Sequence, residues 1–157
     1  MRILGVDPGS VVTGVAVIEG DGLPPWRLLT AERLHPPNLP YCQRLAVLVE
    51  DLRAVVTEFK PAKAVIEMPH GKAHRRMGRV NLASLSIYGA AAGACYATLL
   101  GFPDLHVIPV GVNEAARGLT KRARQHIVQK AFASYDAGRD AGFDVSDALF
   151  LAMGEED

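Results

Sequence analysis

The sequence predicts an α/β protein built on a mixed five-stranded sheet, an antiparallel meander followed by parallel strands, with helices flanking it. Three observations predict it. The opening "MRILGVDPGSVVTGVAVIEG" holds two short apolar runs split by Pro8, Gly9 and Ser10. Beyond residue 40, short apolar runs alternate with longer stretches of helical periodicity. No internal repeat or interdomain linker breaks the pattern, so residues 1–157 are expected to form one domain.

Ile3, Leu4 and Val6 are the aliphatic residues of a covered central strand, which Pro8, Gly9 and Ser10 end. "VVTGVAVIEG" reads as a second strand, and Gly20 and Gly22 fit a hairpin connection to a third, "WRLLTAERL". In "LPYCQRLAVLVEDLRAVVTEF", Leu45, Leu48, Val49, Leu52, Val55 and Val56 recur at helical spacing. This amphipathic helix ends at Pro61. "AKAVIEMP" is a further covered strand, and it closes on a carboxylate before proline, as the first strand does. Residues 80–103 carry no charge, include Gly89 and Gly93, and approach the length of a bilayer span. Their Ala, Gly, Ser, Thr and Asn content is too weakly apolar for insertion, so no membrane association is expected. The segment reads instead as a buried helix whose small residues admit close approach to a sheet or a partner helix. "LHVIPV" supplies the fifth strand; a basic stretch and a last helix near "FDVSDALFLAMG" follow.

Lys+Arg and Asp+Glu number 17 each, so net charge neither favours nor excludes a polyanionic partner. Cys42 and Cys95 are the only cysteines and lack CxxC spacing. With no secretory leader of the usual form, a cytoplasmic setting is expected.

The two strand-end carboxylates are Asp7 and Glu67. A buried carboxylate needs a hydrogen-bond partner, a cation or water. Asp144 and Asp147, spaced i, i+3, join them on one face near a helix start, where Asp144 equally suits an N-cap. Four acids so arranged repel one another, and divalent cations relieve that repulsion. Oxygen donors without a Cys or His cluster suit Mg²⁺ or Mn²⁺ better than Zn²⁺. Two such ions can activate water and stabilise the leaving oxygen of a phosphodiester, which is nuclease chemistry.

"ILGVDPGSVVTGVAVIE", "AVIEMP" and "DVSDALFLA" resemble the three acidic motifs of RuvC-type Holliday junction resolvases, of the RNase H-like nuclease superfamily. The resemblance spans essentially the whole chain and implies an RNase H-like fold. It implies that Asp7, Glu67, Asp144 and Asp147 are the catalytic metal ligands, for Mg²⁺ with Mn²⁺ able to substitute and two ions per site. Many relatives have histidine at the third position, so Asp144 marks an all-carboxylate variant. The family further implies a homodimer that nicks two opposed strands of a four-way DNA junction, with the uncharged helix at its interface. The residues specify no branch-migration motor as a further partner.

Between residues 68 and 130 stand nine basic residues, Lys72, Arg75, Arg76, Arg79, Arg117, Lys121, Arg122, Arg124 and Lys130, against the acids Asp104 and Glu114. The neutral chain is therefore polarised, and its middle suits phosphate contacts. "PHGKAHRRMGR" begins at Pro69, two residues after Glu67. In the resembled family this loop enters the junction with a stacking aromatic residue, and His70 holds that place here. Arg124 matches a family lysine near the scissile bond, whereas Asn113 falls where another is usual.

Three other readings remain open at this level. An RNase H-like nuclease acting on RNA shares the fold. A catalytically inactive nucleic-acid-binding module would keep the basic loops but lose acids. An actin-like ATPase shares a similar opening motif, but its second phosphate motif and adenosine motif are absent from this sequence.

Overall fold

Strand periodicity divides the interior in two. Leu4, Val6, Val15, Val17, Ala64 and Ile66 pack in one buried cluster, while the alternate residues Ile3, Ala16, Ile18 and Val65 pack in another. Side chains that alternate between two apolar clusters belong to a sheet covered on both faces. The computed structural model describes residues 1–9, 11–20, 24–69, 82–140 and 142–154. In it, β1 (Arg2–Asp7), β2 (Thr13–Glu19) and β3 (Arg27–Leu34) form an antiparallel meander, and β4 (Lys63–Met68) and β5 (His106–Gly111) extend it in parallel. The order is β3-β2-β1-β4-β5, the mixed sheet expected from the sequence.

The first cluster is closed by α1 (Tyr41–Phe59) and α2 (Leu82–Leu100), through Leu48, Leu52, Val55, Val56, Cys95 and Leu99. Lys60 ends α1 in the left-handed region (φ 47), just before Pro61. Tyr41 Oη donates to the Ile87 carbonyl and so ties α1 to α2. On the opposite face lies α5 (Asp144–Met153), whose Val145, Ala148, Leu149 and Ala152 are buried against β1 and β2.

The basic stretch, read from sequence without helices, forms α3 (Val112–Ala116) and α4 (Lys121–Ala131). Thr120 caps α4 by accepting from the Ala123 amide at 3.2 Å. Only Arg124 and Val128, spaced i, i+4, are buried on α4, too narrow a stripe to announce a helix among its charges. Among the described residues, no helix is long and apolar enough to cross a membrane.

Candidate active site

The two strand-end acids come together through register. β1 pairs with β4 in parallel with Val6 opposite Ile66, so Asp7 and Glu67 are next in line on adjacent strands, at their C-terminal ends. By the period of two, Asp7 shares a face with Ile3 and Gly5, and Glu67 with Val65; this is the face that α5 covers.

Two glycines bring α5 down onto that face. A Cβ at Gly5 would fall 2.9 Å from the Ala148 carbonyl carbon and 3.0 Å from the Ala152 amide nitrogen. A Cβ at Gly14, which pairs with Asp7 across β1 and β2, would lie 3.2 Å from Asp144 Cα and closer still to its carbonyl oxygen. Backbone therefore meets backbone, and the first turn of α5 delivers Asp144 and Asp147 beside Asp7.

Each acid of α5 already faces cations. Asp144 Oδ2 lies 3.0 Å from Arg33 Nη2, on the strand register where Arg33 pairs with Gly14. Asp147, only 6% exposed, accepts from Arg124 Nε at 2.8 Å and Nη2 at 2.7 Å through Oδ1, while Oδ2 meets Lys121 Nζ at 3.0 Å. Glu67 Oε1 accepts from Tyr88 Oη at 3.0 Å. Burial pushes the Asp7 carboxyl well above the ordinary carboxylate range, and the charges of Glu67, Asp147 and Asp144 push it further, against the pull of Lys121. Burial also raises Glu67, with Asp147 adding to the effect and the Tyr88 hydroxyl opposing it. Burial and the Glu67 charge together hold Tyr88 protonated far beyond neutral pH. Partial burial works against the charge on Lys121, but Asp147 and Asp7 outweigh it and raise its pKa.

The basic residues expected at DNA divide into three groups. Lys121 and Arg122 are exposed at the start of α4, Lys121 on the rim of the acid cluster. Arg124 and Arg117 are both engaged within the chain, Arg124 buried and Arg117 at the exposed surface. Arg124 is 7% exposed and commits its guanidinium to Asp147 and to the Leu119 carbonyl, so it is a buried counter-ion rather than a surface phosphate contact. Arg117, with φ 48, lies over the Phe150 ring at 5.2 Å and donates to the Gly154 carbonyl at the end of α5, on the side away from Asp144. His70, Lys72, Arg75, Arg76 and Arg79 lie outside the described residues. The sequence reading missed Arg33 and Tyr88, whose proximity to the acids depends on sheet register and on how α2 crosses β4. Gly5 and Gly14 did carry a signal, since glycine inside a covered strand marks close backbone approach.

An all-carboxylate set of hard oxygen donors, with repulsion concentrated on half-buried Asp7, fits a divalent cation such as Mg²⁺ or Mn²⁺. Among the described residues, no three acidic, histidine or cysteine side chains yet converge on one point. Asp144 and Asp147 are turned instead toward Arg33, Lys121 and Arg124.

Against known families, residues 3–154 match the model described as crossover junction endodeoxyribonuclease RuvC. The chain belongs to the RuvC family. A RuvC of Neisseria meningitidis serogroup C is 30% identical over 159 residues, covering 98% of this chain and 83% of that protein. The RuvC of Chlorobium phaeovibrioides is 30% identical over 158 residues, covering 98% and 79%. Among solved structures, Thermus thermophilus RuvC in complex with Holliday junction substrate superposes with TM-score 0.77 at 23% identity, covering 98% of this chain and 91% of that one. The yeast mitochondrial Holliday junction resolvase follows at TM-score 0.65 and 12% identity, covering 97% and 77%. The fold is thus that of RuvC, and the family resemblance carried by the three acidic motifs is borne out.

Proposed function

We propose that this chain is a divalent-metal-dependent endodeoxyribonuclease that resolves four-way DNA junctions by paired, symmetric nicks. The observation that carries this reading is the meeting of Asp7 and Glu67, on adjacent parallel strand ends, with Asp144 and Asp147 on α5. Membership of the RuvC family supplies the substrate class. We assign Asp7, Glu67, Asp144 and Asp147 as ligands for Mg²⁺, with Mn²⁺ able to substitute and two ions per site. When bound, such ions activate water and stabilise the leaving oxygen of the cleaved phosphodiester. The protein's own part is to hold three half-buried carboxylates and the buried one of Asp147 near one another and to keep Arg124 against Asp147 as a fixed counter-charge. Lys121, more exposed than Arg124, holds Asp147 Oδ2, the carboxylate oxygen that would be offered to a metal ion. Together with Arg122, and with His70, Lys72, Arg75, Arg76 and Arg79 of the basic segment that follows Glu67 in the sequence, it contacts the junction.

The chain acts as a homodimer of one domain per subunit, with the outward stripe of α2 at the interface. Along that stripe Ala90, Gly93, Ala97 and Leu100 are exposed, and a Cβ at Gly93 would meet nothing within 4 Å. Small residues in such a row admit a second helix closely. The cytosol is the compartment we assign, where Cys42 and Cys95 carry free thiols.

The test is cleavage of labelled four-way junction, duplex, flap and RNA–DNA hybrid in Mg²⁺, Mn²⁺, Ca²⁺ or chelator. The junction is expected to be nicked in pairs with Mg²⁺ or Mn²⁺ only. Asp7→Asn and Asp147→Asn should bind the junction but not cut it. Near-normal cleavage by either variant removes that acid from the ligand set, and preference for the hybrid replaces the DNA reading with an RNA one.

A further inference from the structure

Asp140 is 2% exposed, and it is an acid for which the nuclease reading has no use. Its surroundings explain what it does. Phe143, the residue before α5, adopts a left-handed conformation (φ 64) and offers the helix no side-chain cap. The first amides of α5 therefore need acceptors from elsewhere. Asp140 Oδ1 accepts from the Val145 amide at 3.1 Å and Oδ2 from the Ser146 amide at 2.8 Å. These two amides lie between Asp144 and Asp147 in the chain.

The carboxylate is itself held. Tyr135 Oη donates to Asp140 Oδ2 at 2.7 Å, and Gln125 Nε2 of α4 donates to Tyr135 Oη at 3.2 Å and to the Asp140 carbonyl at 3.4 Å. Burial and the bond to Asp140 push the Tyr135 hydroxyl up to about 12, so it stays a donor. A continuous chain of hydrogen bonds thus runs from α4, which carries Lys121 and Arg124, to the first turn of α5, which carries the acids they pair with.

We infer that Asp140 is a positioning residue of the nuclease: its buried carboxylate fixes the first turn of α5, and with it the orientation of Asp144 and Asp147 toward a bound divalent ion. The inference rests on the assignment of those two acids as ligands. Groups that orient metal ligands from behind change affinity by about 10–100-fold when removed, even though they never touch the ion. Asparagine in place of Asp140 keeps the shape but has one acceptor oxygen where two amides need one each, so one amide of α5 is left facing an NH₂ group.

The test is a Mn²⁺ titration followed by electron paramagnetic resonance on the full chain, alongside thermal melting and junction binding in chelator. Asp140→Asn is expected to weaken Mn²⁺ binding by about tenfold or more. Junction affinity in chelator should be unchanged, and the cleavage deficit should be recovered at saturating Mn²⁺. A purely structural role would lower the melting temperature and leave the Mn²⁺ affinity of the folded protein at the wild-type value, and that result overturns the inference. Tyr135→Phe, which keeps both amide contacts, carries the test should Asp140→Asn not fold; it is expected to weaken Mn²⁺ binding by about two- to fivefold, and no change overturns the inference. Asp147→Asn in the same titration separates the two readings. If it binds Mn²⁺ like wild type, the ligand assignment fails and this inference with it. If Asp147→Asn loses the ion while Asp140→Asn does not, only the positioning role is overturned.

Discussion

Replacing Gly14 by alanine places one methyl group against the backbone of α5. The new Cβ would stand 3.2 Å from Asp144 Cα and well inside 3.0 Å of its carbonyl oxygen. The obstacle is backbone, so no rotamer change relieves it. Restoring a normal carbon–oxygen separation of about 3.3–3.6 Å moves the first turn of α5 outward by roughly 1 Å or more. Overpacking of this kind costs about 1–3 kcal/mol. For a chain of this size that corresponds to a fall in Tm of about 2–12 °C. The functional loss should be larger than the stability loss, because a misplacement of about 1 Å at a reacting centre costs on the order of 100-fold in rate. Differential scanning fluorimetry and junction cleavage at a temperature where both proteins are folded measure the two effects. Gly93→Ala, where the added methyl meets nothing within 4 Å of the same chain, is the control for helix and glycine effects on the monomer. A Gly14→Ala protein with wild-type Tm and wild-type kcat would refute the argument that close backbone contact sets the position of Asp144 and Asp147.

Further outcomes follow from the same geometry. The Asp7 carboxyl is raised in the folded state by burial and then by its acidic neighbours, so its contribution to stability is full below the unfolded pKa and is lost as pH rises through the folded one. In chelator, Tm should therefore fall more steeply from pH about 4 to 8 in wild type than in Asp7→Asn; parallel curves would contradict the shift. Arg124→Met leaves the buried carboxylate of Asp147 with the exposed Lys121 as its remaining counter-ion and should cost up to about 3 kcal/mol in urea unfolding. Adding Asp147→Leu to Arg124→Met should recover most of that loss, and a double variant as unstable as the single would show that the arginine acts through packing instead. Gly93→Leu, on the exposed stripe of α2, should leave the monomer's fold intact by circular dichroism while sedimentation shows the proposed dimer weakened relative to wild type; unchanged self-association would overturn α2 as the interface.

Much of this arrangement was legible in the sequence because it follows from local rules. Apolar runs cut off by Pro8 and by Pro69 located the ends of β1 and β4, and an acid at the last position of β1 and the last but one of β4 stood out against its neighbours. The i, i+3 spacing of Asp144 and Asp147 placed both on one side of α5 before any contact was known. What escaped depended on distant parts of the chain meeting. Arg124 reads as one more exposed cation in a basic run, and only the crossing of α4 with α5 turns it inward onto Asp147. Asp144 suits an N-cap by residue type, yet it is the first helical residue, and the capping carboxylate belongs to Asp140. The intervening left-handed Phe143 hides that relation, since no propensity rule assigns a phenylalanine to φ 64.

The place of α5 has a consequence for how the molecule is made. The helix that carries half of the acids follows every other described element in chain order, yet it rests on β1 and β2, which come first. Synthesis proceeds from β1 toward α5, so a nascent chain can complete the meander, α1, α2 and the parallel strands while its strand-end carboxylates still lack their counterparts. Such a chain holds only two of the four carboxylates assigned to the metal site until the last described helix closes over Gly5 and Gly14. Docking that helix joins the segments most widely separated in the chain, the kind of contact that slows folding most. The step that arms the nuclease is thereby also the step that finishes its core.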